Sequence, residues 1–84
     1  MGIIYYKGYL VHYENGPAIE WKNGDKFWFL NGQLHREDGP AIEWLVGYKL
    51  FYLNGDQYLE KEYLKIINLK NKKKILNIKY CKMR

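Results

Sequence analysis

HREDGPAIEW, residues 35–44, restates HYENGPAIEW, residues 12–21, at an offset of 35 − 12 = 23 residues. Aligning 12–34 with 35–57 leaves thirteen of the twenty-three positions identical. Asn31-Gly32 and Asn54-Gly55 share the offset, 54 − 31 = 23, and YYKGYLVH at 5–12 is a partial earlier copy of FLNGQLH at 29–35. A period in the twenties implies small supersecondary units stacked in a row. Within each copy, short apolar or aromatic runs alternate with Asn-Gly or Asp-Gly pairs, whose ready access to positive φ makes them hairpin signals.

These signals predict a mainly β (α+β) chain: a twisted antiparallel β-meander of 23-residue hairpin repeats, with a short C-terminal helix and a basic final strand or tail. Strands are expected near 3–7, 9–13, 17–21, 26–30, 33–36, 41–45, 48–53 and 56–58. Pro17 and Pro40 stand at strand starts, where a missing N–H does least harm. Turn lengths then set register. Two-residue turns at Asn23-Gly24 and Asn31-Gly32, with a four-residue loop at Glu37–Pro40, align His12, Ile19, Trp28, His35, Ile42, Phe51 and Tyr58. Trp21, Leu30, Trp44 and Leu53 share that face. The expected core is therefore Ile19, Trp21, Trp28, His35, Ile42, Trp44 and Phe51.

Of the 84 residues, 48% are hydrophobic and 18% aromatic, which suits one small domain built on a pleated surface. Its two parts are the sheet, 1–59, and a C-terminal helix and basic segment, 60–84. Cys81 is the lone cysteine, which excludes an internal disulfide and fits a reducing, cytoplasmic setting. No stretch approaches the roughly 18 apolar residues of a membrane span, and MGIIYYKGYL makes a poor signal peptide.

The net charge of +5 is unevenly spread: residues 1–62 carry six basic and nine acidic side chains, whereas 63–84 carry eight basic and none acidic. In EKEYLKIINLK, 60–70, Tyr63, Ile66, Ile67 and Lys70 recur at helical spacing behind a first turn rich in acids. ILNIKYCKM alternates Leu76, Ile78 and Tyr80 against Asn77, Lys79 and Cys81, the pattern of a final strand; an irregular or helical tail competes with it.

The units NG…LH…GPAIEW and NGDKF resemble MORN-type repeats. They are more similar to the short LHREDGPAIEW…YLNG tandem repeats of uncharacterised phage and giant-virus proteins, over about residues 5–58. The glycine usual in Y-x-G-x-W is missing from KFWFLNG. The resemblance implies a viral origin and a binding or scaffolding role; it brings no catalytic residues.

His12 and His35 invite a metal reading, but structural zinc needs convergent ligands, usually four, and a turn-bracing role suits their matched positions better. Glu20 and Glu43 are duplicated without a cleft to share. With no nucleophile–base pattern and no phosphate-cradling loop, the chain reads as no enzyme, with no cofactor and no metal. The basic segment, Lys70, Lys72, Lys73, Lys74, Lys79, Lys82 and Arg84 with Tyr80, is the candidate grip for a partner or nucleic acid. The expected role is a small phage-type steric inhibitor of a host protein or ribonucleoprotein, such as a CRISPR-type or other nucleic-acid-processing defence factor. The alternatives are a nucleic-acid-binding module and a self-assembling scaffold, the chain being a monomer or an edge-paired homodimer.

Overall fold

The structure, a computed structural model, describes residues 2–82, with side chains through residue 72. The strands are β1 (Gly2–Ile4), β2 (Tyr6–Lys7), β3 (Leu10–Val11), β4 (Ile19–Trp21), β5 (Lys26–Phe27), β6 (Phe29–Leu30), β7 (Gln33–Leu34), β8 (Ile42–Glu43), β9 (Lys49–Leu53) and β10 (Asp56–Tyr58); α1 spans Glu60–Lys82. Short reversals join β2 to β3, β4 to β5, β6 to β7, β8 to β9 and β9 to β10, and they set the register within each pair. Six strands form one antiparallel sheet in the order β1-β4-β5-β8-β9-β10, and β2-β3 and β6-β7 form two small hairpins.

Asn31-Gly32 and Asn54-Gly55 are two-residue reversals, with φ of 51° and 80° in the first and 51° and 85° in the second. Positive φ at both central residues matches the right-handed twist of the flanking strands. These turns place His35 against Trp28, with the His35 N–H donating to the Trp28 carbonyl at 3.0 Å, and Tyr58 against Phe51.

Two expectations are corrected. At 22–24 and 45–47 the reversal has three residues, not two: the Trp21 N–H donates to Asp25 C=O and the Trp44 N–H to Tyr48 C=O. Gly24 and Gly47 close these loops at φ of 103° and 104°. The extra residue shifts the ladder by one, so Ile19 opposes Phe27, not Trp28, and Ile42 opposes Leu50, not Phe51. The Gly-Pro segment is also no hairpin. On one side of Trp28, its N–H donates to Ala41 C=O at 2.7 Å and its C=O accepts from His35. β7 and β8 therefore lie end to end along the same neighbour, and residues 36–40 are a detour between them.

Because side chains alternate and register partners share a face, the expected core row divides between two faces. Ile4, Ile19, Phe27, Ile42 and Leu50 form one row. Trp28 and Phe51 point to the opposite side. Ala18, Ala41, His35, Ile42 and Phe51 are buried, Ile19 and Trp28 half-buried, and Trp21 and Trp44 exposed at 41% and 37%. The two tryptophans are thus not core: they lie on the side of Ile19 and Ile42 next to the three-residue loops, where each stays more than a third exposed.

The tightest packing is Phe51 and Leu53 against Tyr63 of α1, flanked by Tyr58, Ile66 and Ile67. Leu59 precedes the helix, and Glu62 reaches back to accept its N–H at 3.3 Å, half of a capping box. The helix continues through 75–82, where a strand was expected. No Gly or Pro occurs in 56–82, and extending a formed helix gains one bond per residue ordered.

Candidate protein-binding surface

The face carrying Ile19, Phe27, Ile42 and Leu50 is an apolar row that runs across four strands, with Ile42 buried and the other three half-buried. Trp44 stands edge-on to Phe27, with ring centroids 5.3 Å apart and planes at 89°, the arrangement that the ring quadrupoles favour. Trp21 lies two residues beyond Ile19 on the same side. Tyr48 (73% exposed), Leu45 (67%) and Val46 (80%) extend this surface to the loop tip.

The tip is held to its neighbour. Asp25 Oδ1 accepts the Leu45 N–H at 2.7 Å, and Asn23 bonds Asp25 through both its amide nitrogen and its amide oxygen. The first copy thus presents Lys22 and Asn23, and uses Asp25 to fix the second copy, which presents Leu45 and Val46 at matched positions. Apolar side chains exposed on a fixed tip beside two tryptophans match the anchors of protein interfaces, where aromatic residues carry much of the binding energy.

The opposite face is internally satisfied. The Asn31 N–H donates to His12 Nδ1 at 2.8 Å and the Asn54 N–H to His35 Nδ1 at 2.9 Å. With Nδ1 an acceptor, the neutral ring carries its proton on Nε2, facing Glu14 at 3.5 Å and Glu37 at 3.1 Å respectively. Each histidine braces the backbone of an asparagine held at positive φ. The Arg36 guanidinium lies 3.9 Å from the Trp28 ring centroid and bonds Asp38, Glu43 and the Pro40 carbonyl. Arg36 is thus a cation stacked on an aromatic ring and held there by two carboxylates.

Tyr63 locks α1 to this network: its hydroxyl donates to the Arg36 carbonyl and accepts the Gly39 N–H at 3.2 Å. Burial pushes the Tyr63 hydroxyl pKa up, opposed by the Gly39 N–H; the Asp38 charge adds to the rise, Arg36 opposes it, and Glu37 adds again. Beside it, Tyr13, Glu14, Trp28, Arg36, Glu37 and Asp38 border a cleft of about 460 Å³. Among the described residues, no three His, Cys, Asp or Glu side chains gather as a metal-binding group.

Of the basic candidates, Lys70 is half-buried with Nζ 3.7 Å from the Glu37 carboxylate, and Lys72 is exposed. The backbone of Lys73, Lys74, Lys79, Tyr80 and Lys82 belongs to α1; their side chains, and Arg84 altogether, lie outside the described residues. No helix among the described residues is long and apolar enough to cross a membrane. The exposed set Trp21, Trp44, Leu45, Val46 and Tyr48 was absent from the candidate binding residues. Its one sequence signal was the replacement of Lys22-Asn23 by Leu45-Val46 in an otherwise similar copy. No family model matches the chain, and no curated protein or solved structure matches it.

Proposed function

We propose that this chain is a non-enzymatic binding protein that acts by occupying another protein. The observation that carries the reading is the exposed set Trp21, Trp44, Leu45, Val46 and Tyr48 on a braced antiparallel sheet. Backbone bonds that recur at the sequence offset support a tandem-repeat scaffold: Tyr13 N–H to Phe29 C=O is followed by Arg36 N–H to Tyr52 C=O, and Gly32 N–H to Val11 C=O by Gly55 N–H to Leu34 C=O. A scaffold braced this often keeps the anchors in place before binding, which lowers the ordering cost of association. Together with the resemblance to phage and giant-virus repeats, this favours a small steric inhibitor of a host protein. The strongly basic 63–84 segment suits a target that handles nucleic acid, such as a CRISPR-type defence factor.

The test is recovery of a stoichiometric partner from a bacterial lysate by the wild-type chain and by a Leu45→Lys/Val46→Asn double variant, which copies the first loop onto the second. Loss of that partner with the fold intact supports the reading, and equal recovery refutes it.

The uninterrupted helix from Glu60 to Lys82, whose second half is dense in lysine, favours a second reading as a nucleic-acid-binding module. RNA affinity that falls steeply with salt would favour it over the first.

A further inference from the structure

The two GPAIE strands occupy equivalent places, and a third such place stands open beside β9. Ala18 donates its N–H to Phe27 C=O and accepts the Tyr5 N–H, each at 2.8 Å. Ala41 repeats this between Leu50 C=O (2.9 Å) and the Trp28 N–H (2.7 Å). The residue that follows Tyr5 and Trp28 in the series is Phe51, which pairs with Tyr58 of β10, and the strand position that would continue the series falls at residue 41 + 23 = 64. Leu64 lies inside α1, so no strand of the described chain fills that position. β10 pairs with β9 only at Phe51–Leu53, which leaves the outer edge at Lys49 and Leu50 without a strand.

That edge has a defined chemistry. Tyr48 and Leu50 turn their carbonyls toward β8, where they accept from Trp44 and Ala41; the alternation therefore directs the Lys49 backbone outward. Along the sheet, Glu20 opposes Lys26, Lys26 opposes Glu43 and Glu43 opposes Lys49, so acid and base alternate strand by strand and end on a base. Lys49 is exposed and makes no ion pair among the described residues. A cleft of about 380 Å³ lies alongside, bordered by Tyr48, Lys49, Phe51, Gln57, Leu59 and Glu60.

We infer that the open edge of β9 accepts an extended segment of a partner protein as an added antiparallel strand, with an acidic residue opposite Lys49 and an apolar residue opposite Leu50. A second copy entering through β1 would bring Gly2, Ile3 and Ile4 and no carboxylate, so the charge favours a different chain. This edge adjoins the tryptophan face and shares Tyr48 and Leu50 with it, but the inference rests on the backbone and charge of Lys49, which the Leu45→Lys/Val46→Asn variant leaves unchanged.

The probe is a capped synthetic peptide of residues 38–45, Asp-Gly-Pro-Ala-Ile-Glu-Trp-Leu, titrated into the full chain and followed by amide NMR. Shifts and slowed exchange should centre on Lys49 and persist in the Leu45→Lys/Val46→Asn variant. A Glu→Lys peptide, or Lys49→Glu protein, should each weaken binding roughly two- to fivefold, as expected for one cross-strand charge pair. Combining the two should restore it. No binding at millimolar peptide, shifts centred elsewhere, or affinities indifferent to the charge swap would overturn the inference. Concentration-dependent shifts at the same amides without peptide would assign the edge to a second copy and overturn the choice of partner.

Discussion

Replacing Tyr63 by Phe removes one oxygen and isolates the contribution of the bond that fastens helix to sheet. The ring stays, with its centroid 4.8 Å from that of Phe51, so the apolar packing of Tyr63 on Phe51 and Leu53 is retained. What is lost is a donor to the Arg36 carbonyl and an acceptor for the Gly39 N–H, in a side chain only 2% exposed. Two hydrogen bonds at ~0.5–1.5 kcal/mol each amount to ~1–3 kcal/mol. At ~4–8 °C per kcal/mol for a domain of this size, a loss near ~2 kcal/mol lowers Tm by ~8–16 °C. Urea unfolding at pH 7, followed by far-UV circular dichroism and tryptophan fluorescence, measures it, and an unchanged m value shows that the same surface is exposed.

The pH dependence gives the same substitution a second readout. Burial raises the Tyr63 pKa in the folded chain above its ordinary value of 10.0. The stability this contributes is fully present below pH 10.0 and is lost as pH rises through the raised folded value. The gap between wild type and Tyr63→Phe should therefore hold steady through neutral pH and narrow above pH ~10. A loss under ~0.5 kcal/mol at pH 7, below the range for even one such bond, would refute the anchoring role of the hydroxyl.

His35→Ala strands the Asn54 N–H and should cost ~1–3 kcal/mol in urea unfolding, with His12→Ala acting in the same direction at Asn31. Gly47→Ala meets no atom within 4 Å, so its loss of ~1 kcal/mol in thermal unfolding comes from φ alone; a stabilised variant would contradict the loop geometry. Leu45→Lys/Val46→Asn should leave the far-UV spectrum unchanged while abolishing capture of a protein partner. Replacing Lys72, Lys73 and Lys74 by Gln should reduce the slope of log affinity against log salt for single-stranded RNA by ~2; an unchanged slope removes these lysines from any RNA contact.

The two-residue turns were legible because Asn-Gly encodes an unusual backbone shape directly, and Trp28–His35 and Phe51–Tyr58 follow from it. Trp-Lys-Asn-Gly-Asp was harder. It contains the same dipeptide, yet Gly24 takes φ of 103° as the third residue of a longer loop, and Asp25 is drawn into bonds with Asn23 and Leu45. Those partners come from neighbouring turns, which local propensity does not see. Gly-Pro looks like a reversal in sequence, but here Arg36 bonds Asp38, Pro40 and Glu43 and holds the segment as a detour within a continuing run. These two misreadings moved Trp21 and Trp44 from surface to core. At 75–82, alternation favoured a strand, and the helix already started at Glu60 overrode it. The binding surface was legible only as a difference between copies, since apolar residues at a loop tip look like core until register is known.

The cross-links between runs are long-range in sequence: the histidine bridges span 19 residues, the Asp25–Leu45 bond 20, and the Tyr63–Arg36 bond 27. Each of these contacts closes a sizeable loop before it is rewarded, so non-local pairing sets the pace of folding of the sheet. During synthesis at ~5–20 residues per second, β1 must wait for β4 and β5 for β8, each across an intervening hairpin. Tyr63 arrives last, so a nascent chain halted before it would hold a nearly complete sheet with Phe51 and Leu53 bare, the surface most open to chaperones or to aggregation.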